Sequence, residues 1–170
     1  MIGLFDVLTW LKRAPAYHEV FHFGYCGKLD NKKEKALGVY PLRRPGSPYR
    51  AYGALESYEK IGVSLLVHYN HNAEQSQYAA RKLFEFLRTP FPDADLMLIG
   101  DTALDATYPD EDEPACPVHY PGIDTQSARR IKHIDLMTNE PVFVGTDEGG
   151  IYEFVIELEL YVEKEIEKHG

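Results

Sequence analysis

The sequence has few cysteines and no long apolar run. Only two cysteines, Cys26 and Cys116, occur among 170 residues, and this pattern predicts no disulfide framework. The first residues lack the charged, apolar and small-residue order of a signal peptide. Apolar runs such as residues 63–67 are much shorter than the ~20 residues that cross a bilayer. We therefore expect a soluble protein with no membrane partner, in a reducing, cytoplasmic setting.

Basic side chains are also in the minority. The chain has 18 lysines and arginines against 27 aspartates and glutamates, which gives a net charge of -9 at pH 7. Sequence-independent binding to DNA depends on Lys and Arg side chains that neutralise phosphates, so we expect no tight nucleic-acid binding. Repulsion between like charges is compatible, however, with DNA that slides past the protein.

Common catalytic motifs are absent as well. The sequence has no Gly-x-Ser-x-Gly elbow, no Walker loop and no Gly-x-Gly-x-x-Gly turn, which are local signatures of hydrolases and nucleotide-binding proteins. Gly145, Gly149 and Gly150 flank a predicted hairpin rather than a phosphate-binding turn between a strand and a helix. We therefore predict that the chain is not an enzyme and needs no cofactor.

Histidine and cysteine ligands do not form a complete metal site in the sequence. His18 and His22 are four residues apart on a predicted strand, and Cys116 and His119 form a Cys-x-x-His pair. A zinc site needs three or four protein ligands, and no second pair lies at a suitable spacing. We therefore expect no bound metal at these residues.

The acidic segment that follows the fourth predicted strand also gives little indication of a metal site. Residues 110–113 are all carboxylates, and Asp101 and Asp105 precede them. This order lacks the alternation of a calcium-binding loop, and blocks of like charge usually stay in water. We expect a solvated loop there, and structural roles for His68 and His71.

The chain does contain a clear order of helices and strands. Apolar residues recur at helical spacing in residues 2–14, and Pro15 ends that stripe. Apolar residues recur at helical spacing again in residues 73–88. Asn72 is the predicted N-cap of this helix, and Gln75 is its capping-box partner. The buried stripe of the second helix is predicted to comprise Ala80, Leu83, Phe84 and Leu87. Period-two alternation or apolar character predicts strands at residues 18–25, 36–42, 61–69, 95–100, 131–137, 142–145 and 152–162.

The last of these strands shows the cleanest alternation. Its apolar positions are Tyr152, Phe154, Ile156, Leu158, Leu160 and Val162, and the acidic positions between them are Glu153, Glu157, Glu159 and Glu163. Such alternation indicates an antiparallel sheet with one face in a core and the other in water. We interpret the acidic stripe as a solvated face or, if the subunits close into a ring, as the lining of its lumen.

Together these elements predict an α+β fold. We expect a mixed, largely antiparallel sheet with two main helices packed on one face. The length of 170 residues fits one domain. Within it, residues 43–60 are predicted to form an irregular arm, and residues 101–130 an acidic loop excursion.

Four stretches, in this order, carry a resemblance to a known family. They are residues 36–40 leading to 45–49 (ALGVY and PGSPY), 61–70 (IGVSLLVHYN), 73–84 (AEQSQYAARKLF) and 141–154 (PVFVGTDEGGIYEF). In these stretches the chain resembles the minor capsid and tail-terminator proteins of the head-tail junction of tailed bacteriophages. The resemblance implies a tail-terminator-like fold and a hexameric ring that caps the tail tube and joins it to the head-completion or connector protein. It implies no catalytic residues, and the acidic excursion is longer than expected for the family.

Three tyrosines in the predicted arm are candidates for the subunit interface. Tyr49, Tyr52 and Tyr58 belong to a residue type that is enriched where protein surfaces meet. The same side chains are also suited to packing on their own subunit. The sequence leaves both possibilities open.

The resulting prediction is a virion assembly protein, present in the virion and in the host cytoplasm during assembly. Its expected partners are copies of itself, the tail tube protein and the head connector. Two alternatives remain open at this stage. One is a metal-dependent hydrolase that uses His18, His22 and the acidic loop, and the other is a monomeric adaptor that binds a peptide along a free strand edge.

Overall fold

A computed structural model describes residues 2–42, 58–89, 94–100 and 129–163. Three helices lie in these segments: α1 (Leu4–Lys12), α2 (Pro15–Val20) and α3 (Ala73–Arg88). The strands are β1 (Phe23–Cys26), β2 (Ala36–Pro41), β3 (Tyr58–His68), β4 (Leu98–Ile99), β5 (Arg129–Leu136), β6 (Val142–Thr146) and β7 (Tyr152–Glu163). A 3-10 turn at Ala94–Met97 precedes β4.

The centre of the sheet is the antiparallel pair of β3 and β7. The two strands pair over their whole common length, from Tyr58 opposite Glu163 to His68 opposite Glu153. Side chains alternate between the two faces of a strand, so every second residue enters the core. Fully buried examples are Val63, Leu65, Val67, Ile156, Leu158 and Leu160, and burial of each such aliphatic side chain contributes about 1.5–3 kcal/mol.

The remaining strands extend this pair on both sides. The strand order is β1-β2-β3-β7-β5-β4, and β6 pairs with the first part of β7. Of the strand pairs in the described segments, β1–β2 alone is parallel and the others are antiparallel. The sheet curls into half of a barrel. The predicted α+β fold with a mixed, largely antiparallel sheet is therefore confirmed.

The helices cover one face of this sheet. Trp10 and Leu11 of α1, Tyr17 of α2 and Leu83 of α3 join the same buried cluster as the core residues of β3 and β7. The indole nitrogen of Trp10 donates a hydrogen bond to the carbonyl oxygen of Leu96 at 2.7 Å, which ties α1 to the 3-10 turn. Packing on one face agrees with the prediction, but the structure has a third helix, α2, that the sequence analysis did not identify.

The predicted strand at residues 18–25 was wrong in its first part. Pro15 ends α1, as expected, but it also begins α2 at the first helical position, where the missing N–H of proline costs no hydrogen bond. His18 therefore lies in a helix, and His22 lies between α2 and β1. The two histidines therefore do not share the strand face that the sequence analysis expected.

The start of α3 agrees with the prediction except in one hydrogen bond. Asn72 is the N-cap, and its side-chain oxygen accepts from the backbone nitrogen of Gln75 at 3.0 Å. The side chain of Gln75 does not return to Asn72, because its oxygen accepts from the amide of Asn70 at 2.6 Å. Asn70 in turn accepts from the backbone nitrogen of Asn72 at 3.0 Å. The predicted buried stripe of Ala80, Leu83, Phe84 and Leu87 is confirmed.

The predicted irregular segments lie mostly outside the described residues. Of the arm at residues 43–60, the structure describes Tyr58 and the two residues after it, which begin β3. Of the acidic excursion at residues 101–130, it describes Arg129 and Arg130, which begin β5. The predicted strand at 95–100 is reduced to β4, because the 3-10 turn takes up most of it. None of the helices in the described segments is long and apolar enough to cross a membrane.

Close packing of the helices on β1 makes Gly24 a test of this fold. A Cβ atom added at Gly24 would lie 2.7 Å from the hydroxyl oxygen of Tyr17 and 2.9 Å from Cδ1 of Leu8. We expect Gly24→Ala to lower the free energy of unfolding by about 1–3 kcal/mol, because overpacking displaces neighbouring side chains. Urea unfolding measures this, and Gly100→Ala is the control, since no atom of the described segments lies within 4 Å of a Cβ there. Equal losses in the two variants would contradict the packing of α1 and α2 on β1.

Candidate functional site: the open face of the sheet

The face of the sheet turned away from the helices, here called the open face, carries the candidate site. Its members follow from the strand register, because directly opposed residues of paired strands point to the same side. They are Ala36, Gly38 and Tyr40 of β2, Ser64, Leu66 and His68 of β3, and the odd-numbered residues of β7 from Glu153 to Glu163. The face is apolar in the middle and charged towards both ends.

The middle of the open face is an apolar groove of about 540 Å³. Tyr40 and Leu66 line one side, and Val142 and Val144 of β6 line the other. The ring of Tyr40 lies across Gly38, where a Cβ atom would come within 2.6 Å of it. Because Gly38 has no side chain, the tyrosine ring can lie flat on the strand and close one side of the groove.

Strand β6 is an exposed apolar edge. Its three consecutive apolar residues, Val142, Phe143 and Val144, are 44%, 53% and 54% exposed. Among the described residues β6 pairs with β7 only, so no described strand pairs with the backbone N–H and C=O groups on its other side. Natural proteins usually protect such edges with charges, proline or a covering segment. An edge with both free backbone groups and apolar side chains is typical of an association surface.

The acidic stripe of β7 lies on the open face, as the sequence predicts, but Glu159 is not solvated. Glu159 is 1% exposed, and its carboxylate lies 3.5 Å from the Lys60 ammonium. The hydroxyl of Tyr161 donates a hydrogen bond to the same carboxylate at 3.2 Å. Burial and the charge of Glu159 raise the pKa of Tyr161 to about 12. The prediction of a uniformly solvated stripe was therefore wrong at Glu159, because β3 supplies a cation directly beside it.

Tyr58 is the one predicted interface tyrosine among the described residues. It is half-buried, and its ring lies 5.5 Å from that of Tyr161 on β7. This contact fits the alternative in which the side chain packs on its own subunit. Tyr49 and Tyr52 lie outside the described residues, so their predicted interface role stays a prediction.

His68, Asp147 and Glu153 form the second charged cluster, at the other end of the groove. His68 ends β3 opposite Glu153 of β7, and Asp147 lies in the turn between β6 and β7. One ring nitrogen of His68, Nδ1, lies 3.0 Å from the carbonyl oxygen of Lys33. The other, Nε2, lies 2.8 Å from Oδ2 of Asp147. The His68 side chain has no exposed surface.

These contacts give both ring nitrogens of His68 a hydrogen-bond partner. A backbone carbonyl oxygen can only accept a hydrogen bond, so Nδ1 donates to Lys33, and Nε2 faces the carboxylate of Asp147. The hydrogen bond from His68 lowers the pKa of Asp147, and backbone donors from Ile151 and Gly149 act in the same direction.

Asp147 also organises the turn that leads from β6 to β7. Its Oδ1 accepts from the backbone nitrogen of Ile151 at 2.8 Å, and its own backbone nitrogen donates to the carbonyl of Ile151 at 3.0 Å. Gly150 has a φ of 83°, a conformation that glycine adopts without strain. The contact between His68 and Asp147 therefore fixes the exposed strand β6 to the centre of the sheet.

The remaining predicted ligands are not brought together in the described part of the chain. His18 is on α2 and His22 precedes β1, while Cys116, His119 and residues 110–113 lie outside the described residues. His68 has the structural role that the sequence analysis expects. Its proximity to Asp147 and Glu153 was missed, because the three residues have no characteristic spacing and meet only through the strand register.

Comparisons of the chain with protein-family models, with curated proteins and with solved structures find no match.

The ion pair of His68 and Asp147 yields a prediction about stability. We expect Asp147→Ala to lower the free energy of unfolding by about 1–3 kcal/mol, because it leaves a buried nitrogen of His68 without its partner. Asp147→Asn should recover part of this loss, since an amide can donate to neutral His68. Urea unfolding at pH 7 in EDTA measures both variants. Glu148→Ala is the matched control, because Glu148 is an exposed residue of the same turn, and a loss as large there would contradict the pairing.

Proposed function

We propose that this chain is a structural subunit of a tailed bacteriophage that assembles into a ring at the head-tail junction. In this role it caps the tail tube and joins it to the head connector, as a tail terminator or minor capsid protein. The proposal combines the resemblance of the four sequence stretches with one structural observation. That observation is the exposed apolar edge of β6, where Val142 and Val144 line the apolar groove and Phe143 is exposed between them.

The position of β6 in the sheet favours a ring over a symmetric pair. A closed ring needs two different surfaces on each subunit, which meet head to tail. Strands β1 and β6 lie at opposite edges of the sheet, separated by β2, β3 and β7. In the described part of the chain, each of them pairs with one strand only. Two unlike free edges that face in opposite directions are suited to head-to-tail contacts between copies.

The charges of the open face are compatible with this role. Glu159 is paired with Lys60 and therefore adds no net charge to the face. Glu157 and Glu163 are half-buried and remain candidates to line a lumen through which DNA passes. A lumen of weakly acidic character would repel the phosphates and let the duplex slide.

In this role the chain catalyses no reaction and does not bind nucleic acid tightly. An adaptor that binds an extended peptide along β6 is the competing function, because an unpaired edge accepts a peptide strand as readily as a strand of another copy. The two functions differ in the state of the purified protein: a ring subunit self-associates, whereas an adaptor stays monomeric until it meets its peptide.

Charges introduced on β6 test the ring proposal. We expect Phe143→Lys combined with Val144→Lys to leave the fold intact, since both side chains are more than half exposed. The variant should remain monomeric in size-exclusion chromatography with light scattering, under conditions in which the wild-type chain forms rings, alone or with tail tube protein. The reason is that lysines on an edge strand oppose further strand pairing.

Tyr78→Lys is the matched control for this experiment. Tyr78 lies on α3, is 59% exposed and does not line the groove, so its replacement should leave assembly unchanged. Negative-stain images of the wild type mixed with tail tube subunits should show tube ends closed by a thin collar. A wild-type chain that stays monomeric at every concentration, with tail tube protein present, would refute the proposal and favour the adaptor.

A further inference from the structure

Three potential metal ligands converge beside the groove from three different parts of the fold. They are Nε2 of His68 at the end of β3, a carboxylate oxygen of Asp147 in the β6–β7 turn, and a carboxylate oxygen of Glu153 at the start of β7. These atoms all lie within 4.8 Å of one another. We infer that these three side chains form a binding site for one divalent transition-metal ion, of the class of zinc or manganese. The inference does not depend on the proposed ring.

The orientation of His68 matches that of a metal ligand. Its Nδ1 donates to the carbonyl of Lys33, which directs Nε2 towards the two carboxylates. Metal-binding histidines commonly donate their second ring N–H to a backbone carbonyl or a carboxylate, and this contact fixes the ring. Because His68 is fully buried, the ring has no room to turn away. The ion would replace the Nε2 proton, which passes to solvent.

The ion pair of His68 and Asp147 does not explain the position of the Glu153 carboxylate beside them. His68 and Asp147 satisfy one another, but among the described residues no side-chain hydrogen bond or ion pair of Glu153 is present, although its side chain is half-buried. Burial raises the pKa of Glu153, the charge of His68 opposes this rise, and the charge of Asp147 adds to it. Two ionised carboxylates beside a neutral imidazole ligand balance the charge of a dication, which favours its binding in a partly buried site.

The distances require only a small adjustment. Zinc binds histidine nitrogen and carboxylate oxygen at about 2.0–2.2 Å, so ligand atoms around a tetrahedral ion lie about 3.4 Å apart. Nε2 of His68 and Oδ2 of Asp147 are now 2.8 Å apart, and the third ligand atom lies within the 4.8 Å span. The largest separation would shorten by at most about 1.4 Å, the difference between 4.8 Å and the tetrahedral spacing of about 3.4 Å. One imidazole and two carboxylates suit ions between the soft thiolate-bound and the hard all-oxygen classes.

The test uses the full chain, because Glu153 distinguishes a metal site from a structural ion pair. Protein treated with EDTA is titrated with zinc or manganese chloride by isothermal titration calorimetry, and its melting temperature is recorded with and without the ion. We expect the wild type to bind about one ion per chain and to melt at a higher temperature when it is bound. Glu153→Gln should weaken binding about tenfold or more, while its melting temperature in EDTA stays at least as high as that of the wild type.

Two further variants complete the test. Glu157→Gln removes a carboxylate from the same face of the same strand and should bind the ion as the wild type does. Asp147→Asn removes an anionic ligand but keeps hydrogen-bonding groups beside His68, so it should lose binding even if Glu153→Gln folds poorly. Absence of saturable binding in the wild type would overturn the inference. Equal binding by the wild type, Glu153→Gln and Asp147→Asn would also overturn it, because the ion would then lie elsewhere in the chain.

Discussion

The pairing of β3 with β7 is the constraint on which the rest of the structure depends. The register from Tyr58 opposite Glu163 to His68 opposite Glu153 places most of the large aliphatic side chains of both strands under the helices, while Leu66 and Val155 face the groove. A shift of one residue in a strand exchanges its two faces, so the burial of Leu65, Ile156 and Leu158 fixes this register. The same pairing determines the positions of the groove and of the charged residues on the open face.

That register produces an open face with three zones. Lys60 and Glu159 form a buried pair near one end, and His68 and Asp147 form another at the opposite end. The apolar groove lies between them, with β6 along its side. Buried ion pairs contribute little net stability but fix geometry. The charges at the two ends therefore hold the strands in place on both sides of the apolar groove.

On the side of β7 opposite β3, two strands share the pairing, and this explains why β6 is exposed. Residues 152–155 of β7 pair with β6, and residues 158–162 pair with β5, so each partner covers only part of the strand. β6 is consequently short, and Phe143 stays 53% exposed. Its attachment through Asp147 and His68 keeps the exposed strand rigid. A ring subunit benefits from this arrangement, because a pre-ordered edge loses less conformational freedom when a neighbour docks.

The sequence by itself determined the elements with strong local signals: the long strand β7, the capped helix α3 and the side of each strand that faces the core. It failed at α2, because a helix of six residues is too short to show its period and Pro15 looks like a stop. Only the tertiary structure decided that Glu159 is buried and that His68, Asp147 and Glu153 meet. Periodicity records which face a side chain occupies, whereas solvation and ligand geometry depend on neighbours that the strand register brings together from distant parts of the chain.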